Sequence, residues 1–252
     1  MSGHSKWATI KRKKGAIDAA RGKIFTKLVR EITTAARIGG GDINGNPRLR
    51  SAIAASKAQS MPADKIDRAI KKGTGELEGA QIEEVSYECY GPAGVALYIE
   101  AQTDNRNRTS SDVRMVLTKN NGNLGAVNSV AYMFHKRGVF SFEAAKYSED
   151  QVMEAALEAG ADDVKTEGDT VVVYSEQKAF TAVIDHFDKL GYKYSNAELT
   201  MVPENTIKVS GQDAERVLRL VERLEDLDDV QKVHCNFDID EQELERIAAA
   251  SS

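Results

Sequence analysis

The sequence predicts an α+β multidomain protein, in which an N-terminal all-α helical bundle precedes two mixed α/β domains, one inserted in the other. Three observations predict this fold class. Apolar residues recur at helical spacing through residues 24–70, and strand and helix patterns alternate through residues 139–202. The strands and helices predicted before and after this second region are too few on either side to form a domain alone. A chain of 252 residues is also longer than one typical domain.

Three helices are expected in the N-terminal region. The first covers Ile24–Ala36 and ends at Gly39-Gly40-Gly41. Asn46-Pro47 is typical of an N-cap followed by proline at the first helical position, and it predicts the start of the second helix. The third begins after Met61-Pro62, with Gly73 as its predicted stop. Together these helices predict a small bundle with a cationic surface.

Beyond a glycine-rich linker the pattern changes to strands. Ser86–Tyr90 and Val95–Ala101 flank a Gly91-Pro92-Ala93-Gly94 turn, which predicts a β-hairpin. A helix is expected over Thr109–Lys119, with Thr109 and Asp112 as a loose capping box, since aspartate replaces the usual Glu or Gln.

From Gly138 the order of elements becomes regular. Residues 139–202 predict the succession β-α-β-β-α-β, which is the ferredoxin-like unit. The strand, helix and strand predicted over 206–210, 212–224 and 230–237 cannot close a domain alone, but they would complete the earlier hairpin and helix. The predicted domains are therefore 1–78 for the basic helical domain, 79–137 plus 204–240 for a discontinuous domain, 138–203 for the inserted domain, and 241–252 for a frayed tail.

Charge is segregated along the chain. Residues 1–75 hold 17 Lys and Arg against 5 Asp and Glu, a net charge of +12, whereas the remainder holds 17 against 34, a net charge of −17. The overall value of −5 hides this asymmetry. A strongly basic region beside an acidic one is typical of proteins that bind nucleic acid, with binding to a membrane surface less favoured because no basic helix also carries large exposed aromatic residues.

Cationic side chains are the candidate binding residues. Lys23, Lys27, Arg30 and Arg37 form one stripe along the first helix, and the segment that holds Arg106 and Arg108 precedes a helix whose exposed amides favour phosphate. Trp7 either stacks on a base or ribose or anchors the N-terminal arm. The predicted nucleic-acid-binding residues are Lys6, Trp7, Lys11, Arg12, Lys13, Lys14, Lys23, Lys27, Arg30, Arg37, Lys65, Arg68, Lys71, Lys72, Arg106 and Arg108.

Other functional classes find little support. The four histidines are scattered without metal-ligand spacing, and no nucleophile motif is present, so we expect no enzyme activity, no cofactor and no metal. Cys89 and Cys235 form no disulfide framework or C-x-x-C motif, which favours a reducing compartment. No long apolar run or secretion signal is visible, so the expected location is the cytoplasm, without membrane contact.

Several segments are similar to one known family. These are Ser2–Trp7, Lys23–Leu28, Met61–Ile70, Tyr90-Gly91-Pro92 and Thr103–Thr109, and through them the chain resembles the YebC/PmpR family over essentially its whole length. The resemblance implies a helical N-terminal domain with two ferredoxin-like domains, one inserted in the other. It also implies DNA binding and transcriptional regulation in bacterial members, and translational activation of cytochrome c oxidase in mitochondrial relatives. Bacterial relatives are further linked to ribosomes and to sequences whose peptide bonds are difficult to form.

This sequence departs from the family pattern at two positions. Ile43 stands where proline is expected, and Asn128 stands where glycine is usual. No presequence precedes the first motif, which favours a bacterial cytoplasmic member.

Two functions follow from these features, and the sequence leaves both open. The protein is either a DNA-binding transcriptional regulator that docks on a duplex, or a translation factor that binds ribosomal RNA near the peptidyl-transferase region of the ribosome. A cationic bundle contacts the phosphates of either polymer, and the predicted exposed helices offer few Asn or Gln for reading bases. A purely structural or protein-interaction module would instead lose function through changes in the acidic sheets.

Overall fold

The computed structural model describes Trp7, residues 18–79 and residues 81–250, with the backbone alone at residues 18–21. Helices fill the N-terminal part, and mostly antiparallel sheets with their own helices follow, so the predicted mixed α/β character is confirmed. Contacts divide the described residues into two compact units. The first unit holds residues 18–79, 81–130 and 211–233, and the second holds Trp7, residues 131–210 and residues 234–250.

The N-terminal helices are α1 (Asp18–Gly39), α2 (Pro47–Ala58) and α3 (Ala63–Thr74). The later elements are β1 (Glu83–Tyr90), β2 (Ala96–Thr103), α4 (Arg106–Lys119), β3 (Asn123–Leu124), β4 (Phe134–Glu143), α5 (Glu149–Glu158), β5 (Asp163–Glu167), β6 (Thr170–Glu176), α6 (Phe180–Lys189), β7 (Asn196–Pro203), β8 (Ile207–Lys208), α7 (Gly211–Glu225), β9 (Val230–Cys235), β10 (Phe237–Asp238) and α8 (Glu241–Ala250).

The three N-terminal helices share one apolar core, in which Ile32, Leu49 and Ile66 are buried. Asn46 caps α2 as the sequence predicted, since its Oδ1 accepts the Leu49 N–H at 3.0 Å and Pro47 occupies the first turn. The Asn46 amide nitrogen also donates to the main-chain oxygens of Ala35 and Gly40. This one side chain therefore starts α2 and fixes it against the end of α1.

The end of α3 differs from the prediction. The helix continues through Gly73 to Thr74, and Gly75 adopts the left-handed conformation that stops it, with φ of 84°. Gly73 has another role, because a Cβ atom there would lie 2.4 Å from the Thr33 carbonyl oxygen and 2.7 Å from Ala36 Cβ. Glycine at position 73 thus permits the close crossing of α3 and α1.

The sheet of the first unit has the strand order β3-β1-β2-β9. Helices α4 and α7 contribute buried apolar residues, among them Val113, Leu117 and Leu220. The predicted capping box at Thr109 and Asp112 is wrong: α4 begins at Arg106, and Asn105 is the N-cap, whose side chain accepts the Arg108 N–H. Asn105 provides the cap one turn earlier, and this leaves the Thr109 hydroxyl for another partner.

The sheet of the second unit has the strand order β5-β6-β4-β7, with every pair antiparallel. Along the chain its elements follow as β4-α5-β5-β6-α6-β7. Phe140 and Phe142 on β4 pack with Val152 of α5 and with Val183 and Phe187 of α6 in one core.

Two C-terminal segments differ from the sequence prediction. β8 does not join the sheet of the first unit but pairs in parallel with β10, through the Ile207 N–H to the Asn236 carbonyl at 2.7 Å. Beyond Asp240 the predicted frayed tail is replaced by α8, whose Leu244, Ile247 and Ala248 are buried. These three residues have helical spacing, so the segment is amphipathic and buries one face. Residues 251–252 lie outside the described residues.

Candidate nucleic-acid interface

Three of the predicted cationic residues line one groove beside α3. Arg68, Lys71 and Lys72 surround a space of about 640 Å³ that is also lined by Asp64, Asp67, Leu77 and Glu78. The groove exists because Gly75 reverses the chain, so that the Leu77 N–H bonds to the Lys71 carbonyl at 3.1 Å. Ile66 and Ala69 face the core, which leaves the cations on the outer side of the helix.

A wider set of cations on α2 and α3 is exposed and, within the described part of the chain, makes no side-chain hydrogen bond or ion pair. We call these residues the α2–α3 cations, and they are Arg50, Lys57, Arg68, Lys71 and Lys72. The sequence prediction missed Arg50 and Lys57. Both could have been found, because Leu49, Ala52 and Ile53 mark the core face and positions 50 and 57 lie together at its edge, on a helix that holds no acidic residue.

Two other predicted cations of the bundle are also accessible. Lys65 places its ammonium group 5.7 Å from the centre of the Phe25 ring. Arg37 is exposed, and its charge acts on Glu84, whose pKa is lowered chiefly by a hydrogen bond from Arg48 and to a smaller extent by Arg37. Arg48 itself is held by Glu31 on α1 and Glu84 on β1, each at 2.7 Å. Arg48 therefore attaches the helices to the sheet and is not free for a ligand.

The predicted stripe on α1 contacts another part of the protein. Its partner is the segment Glu225–Asp229, which begins at the last residue of α7 and ends just before β9, and which we call the acidic loop. Lys23 Nζ lies 2.9 Å from Asp226 Oδ1, and Lys27 Nζ donates to the main-chain oxygen of Glu225 at 2.7 Å. Arg30 donates to the main-chain oxygen of Asp228 and lies 2.7 Å from Asp229 Oδ1. The stripe thus docks α1 on the C-terminal end of α7.

These three contacts differ in solvent exposure. The Lys23 and Asp226 side chains are 47% and 53% exposed, whereas those of Arg30 and Asp229 are 18% and 8% exposed. Burial lowers the pKa of Lys27, against the opposing charges of Glu225 and Asp226. A half-exposed pair of the first kind contributes at most about 1 kcal/mol. The buried contact of Arg30 with Asp229 therefore contributes more than the Lys23–Asp226 pair to the packing of α1 against the acidic loop.

Asp229 is the centre of a buried polar network. Its carboxylate accepts the Thr109 hydroxyl at 2.6 Å and the Arg108 guanidinium at 2.9 Å, in addition to its contact with Arg30. Its main-chain oxygen accepts the Gln102 N–H at 2.8 Å. Burial opposes ionisation of this carboxyl, but the hydrogen bonds from Thr109 and Arg108 and the charge of Arg30 leave its pKa below the ordinary value. The network ties α1, β2 and α4 to the acidic loop.

The Thr103–Thr109 segment, predicted as a second phosphate contact, is largely engaged in this network. Arg108 bonds to Asp104 as well as to Asp229, and Arg106 Nε lies 2.5 Å from Glu83 Oε2. The Asn105 side chain accepts a hydrogen bond from the Arg108 N–H, which is one of the first backbone amides of α4 that the sequence predicted to be available to phosphate. The structure therefore places Arg106 and Arg108 in ion pairs with carboxylates of the same unit.

The N-terminal arm is described only at Trp7. That ring is 5% exposed, so of the two predicted roles its burial agrees with an anchor, since a buried ring cannot stack on a base without leaving its packing. The predicted residues Lys6, Lys11, Arg12, Lys13 and Lys14 lie outside the described residues.

Among the described residues, no group of three or more His, Cys, Asp or Glu side chains is arranged to hold a metal ion. The helices described here include none that is both long enough and apolar enough to cross a membrane. Cys89 and Cys235 are both buried and neither forms a disulfide bond, and burial raises the pKa of Cys89 to about 12.

Comparison with family models covers most of the chain. Residues 5–76 match the model described as the TACO1/YebC protein N-terminal domain. Residues 82–237 match the model described as the TACO1/YebC second and third domain. The boundary between the two matches falls in the segment that joins α3 to β1.

Relatives of full length share more than half of their residues with this chain. A protein of Trichlorobacter lovleyi is 53% identical over 98% of this chain and 100% of its own length. A protein of Syntrophobacter fumaroxidans is 55% identical, with the same coverage. Each of these relatives is named "Probable transcriptional regulatory protein". A crystal structure of a conserved hypothetical protein from Aquifex aeolicus is 46% identical, with a TM-score of 0.79 over 88% of this chain and 92% of that one.

Proposed function

The chain belongs to the TACO1/YebC family, and from that premise we propose that it is a non-enzymatic, nucleic-acid-binding regulator of gene expression. The names of its relatives favour transcriptional regulation through double-stranded DNA. We infer that it acts in the cytoplasm and away from membranes.

The observation that carries this proposal is the state of the α2–α3 cations. They are exposed and unpaired within the described residues, whereas many cations elsewhere lie against carboxylates. An unpaired Lys or Arg can exchange its condensed counterions with a phosphate backbone and release ions into solution, which is the main driving force of sequence-independent binding. We therefore assign phosphate contact to the α2–α3 cations, with Lys65 and Arg37 beside them.

The α1 stripe has a different role in this proposal. Lys23, Lys27 and Arg30 dock α1 on the acidic loop, and Arg108 anchors α4 to Asp229. Replacing Lys23, Lys27, Arg30 and Arg37 together would disturb this dock, so such a variant cannot separate binding from folding. Arg68, Lys71 and Lys72 offer a cleaner test, because their side chains make no hydrogen bond or ion pair within the described part of the chain.

The test is equilibrium binding of a random-sequence DNA duplex across a range of salt concentrations. The variant carries Arg68→Gln, Lys71→Gln and Lys72→Gln. A matched control carries Lys189→Gln, Lys193→Gln and Lys208→Gln, which remove the same charge from three exposed positions outside the N-terminal helices. Each lost phosphate contact should lower the slope of log K against log salt by about 0.9, so the variant slope should fall by about 2.7.

The control variant should keep a slope close to that of the wild type. If the two variants lose affinity equally, general charge and not the groove governs binding. If the wild-type protein binds no duplex and no RNA at low salt, the proposed function is wrong.

A second candidate function is that of a ribosome-associated translation factor that binds ribosomal RNA near the peptidyl-transferase region. One observation favours it: α2 and α3 contain no Asn or Gln, the side chains that read adenine, so their contacts are to backbone and shape. The same binding series with a fragment of large-subunit ribosomal RNA tests it. A preference for that fragment over duplex DNA at equal salt would support the translational function.

We also infer two ferredoxin-like domains, one inserted in the other, with the difference that residues 204–210 and 234–240, predicted for the discontinuous domain, group with the second unit. The strand order β5-β6-β4-β7 and the succession β-α-β-β-α-β over residues 134–203 support a ferredoxin-like inserted domain. The pairing of β9 with β2, and the grouping of α7 with the same unit, support the discontinuity of the other domain.

A further inference from the structure

The longest stretch of the sequence without a charged residue is Asn120–Phe134, in a protein in which 29% of residues are charged. Its first part, residues 120–130, follows α4 in the first unit and includes β3; we call it the neutral loop. Asn121, Asn123 and Asn128 are exposed, and their side-chain amides make no hydrogen bond within the described part of the chain. Val127 is 88% exposed, more than any other large hydrophobic side chain described.

The backbone of the neutral loop is fixed although its side chains are free. The buried carboxylate of Glu88 accepts the N–H groups of Asn128 and Val130 at 2.6 and 2.7 Å. The main-chain oxygen of Glu88 accepts the Gly125 N–H at 2.7 Å, and the Tyr90 hydroxyl donates to the Ser129 carbonyl at 2.9 Å. Hydrogen bonds to a buried carboxylate are strong, so the loop is organised before any partner arrives.

Turn geometry explains part of this composition. Asn121 and Asn128 have φ of 57° and 65°, a left-handed conformation that asparagine tolerates better than most residues. Position 128 is also where the family resemblance leads us to expect glycine, which suits the same φ. Backbone geometry does not explain why position 128 carries an exposed amide, because glycine would adopt the same φ. It also does not explain Asn123, which lies in a strand and pairs with Tyr90.

The chemistry of the neutral loop fits nucleobases better than phosphates. It carries no cation, while each free amide presents a donor and an acceptor side by side, the pattern that matches the edge of adenine. An exposed aliphatic side chain between such amides suits a thymine methyl group or the face of a base. We propose that residues 120–130 form a base-contacting loop, which reads the sequence of the polymer whose phosphates the α2–α3 cations hold.

The neutral loop and the attachment of α2 to the sheet lie at opposite ends of β1. The Arg48–Glu84 pair joins the helices to the start of this eight-residue strand, and the neutral loop pairs with its end at Cys89 and Tyr90. At about 3.3 Å per residue the two ends are roughly 23 Å apart. Substitutions in the loop therefore leave the α2–α3 cations in place, and the two roles can be removed separately.

The test is in vitro selection by the full chain from random-sequence DNA duplexes and, in parallel, from random single-stranded RNA. The loop variant carries Asn123→Ala and Asn128→Gly, the second of which suits the left-handed backbone. The control variant carries Asn44→Ala and Asn205→Gly, at two other exposed asparagines. Thermal unfolding of all three proteins establishes that each is folded.

This inference rests on the proposed function, and the selection separates the two. The wild type and the control should enrich a common sequence and bind it at least about fivefold more tightly than the unselected pool. The loop variant should bind selected and unselected sequences equally, with pool affinity within about twofold of wild type and an unchanged salt slope.

Three results would overturn the base-contacting loop while leaving the proposed function intact. The wild type could bind the pool without enriching a sequence, the loop variant could keep the wild-type preference, or the variant could lose affinity for selected and unselected sequences alike. A wild type that binds neither pool would remove the proposed function as well.

Discussion

At the scale of single residues, Asp229 joins more elements than any cation of the predicted stripe. Its carboxylate contacts Arg30 on α1 and both Arg108 and Thr109 on α4. An ionised group that is 8% exposed is stable in the fold only because these partners replace the water that it has lost. Removing the charge leaves two guanidinium groups facing a neutral side chain.

We therefore predict that Asp229→Asn lowers the free energy of unfolding by about 3 kcal/mol, because it breaks a buried charge network. Asp226→Asn is the matched control, since it removes the same charge from the same loop at a half-exposed pair worth at most about 1 kcal/mol. Urea unfolding at neutral pH measures both changes. Equal losses in the two variants would show that the Asp229 network contributes no more than a surface pair.

The pH dependence of this difference has a definite sign. The pKa of Asp229 is lowered in the folded state, so its carboxylate stabilises the fold above the unfolded-state pKa, and this contribution is lost as the pH falls through the folded-state pKa. The difference in unfolding free energy between wild type and Asp229→Asn should thus be constant above about pH 5 and shrink below about pH 4. A difference that persists unchanged at pH 3 would contradict the assigned charge state.

At the scale of elements, the crossing of α1 and α3 depends on a position without a side chain. A Cβ at Gly73 would lie 2.4 Å from the backbone oxygen of Thr33, an atom that cannot move without distorting α1. Helix propensity favours alanine over glycine by about 1 kcal/mol, whereas overpacking a core costs about 1 to 3 kcal/mol. The cost of overpacking should therefore exceed the gain in helix propensity at position 73.

We predict that Gly73→Ala lowers the free energy of unfolding by about 1 to 2 kcal/mol. Gly22→Ala on α1 is the control, because beyond its chain neighbours and its own helix backbone no described atom lies within 4 Å of the Cβ that it adds, and it should raise stability by up to about 1 kcal/mol through helix propensity alone. Thermal or urea unfolding of the two variants gives the comparison. A gain in stability for both would show that α3 can shift away from α1 at little cost.

Elements with local signals could be predicted from the sequence, and those with remote partners could not. The start of α2 follows from Asn46 and Pro47, whose capping chemistry is contained within a few residues. The helix α8 was missed, because this Ala- and Glu-rich segment has few large apolar residues. Its helix is stabilised by burial of Leu244, Ile247 and Ala248 against other parts of the protein, which the sequence does not reveal.

The same limit applies to the candidate site. The stripe on α1 has the spacing of a phosphate-binding face, but Lys23 meets Asp226, a residue 203 positions away in the sequence. Charge periodicity alone cannot distinguish a cation that awaits phosphate from one that already faces a carboxylate. Arg68, Lys71 and Lys72 follow from sequence and remain exposed, whereas Arg50 and Lys57 emerge once the core face of α2 is known.

At the scale of the whole molecule, the segregation of charge has two consequences. Residues 1–75 carry a large excess of cations, and among the side chains described from residue 22 to residue 75 those without an ion pair include Arg50 and Lys57 on α2 and Arg68, Lys71 and Lys72 on α3. The acidic remainder of the chain would repel a polyanion, so we expect a nucleic acid bound by the proposed mechanism to stay on the α2–α3 cations. Binding should therefore be local and steeply dependent on salt.

The most direct test of this account is crosslinking and sequencing of the nucleic acid bound to the protein in cells, beside the variant with Arg68, Lys71 and Lys72 changed to Gln. We predict enrichment at discrete promoter DNA that is lost in the variant. Enrichment at large-subunit ribosomal RNA, again lost in the variant, would assign the same surface to translation. Recovery of no nucleic acid above background, or equal recovery with the variant, would contradict the claim that the α2–α3 cations hold a nucleic acid.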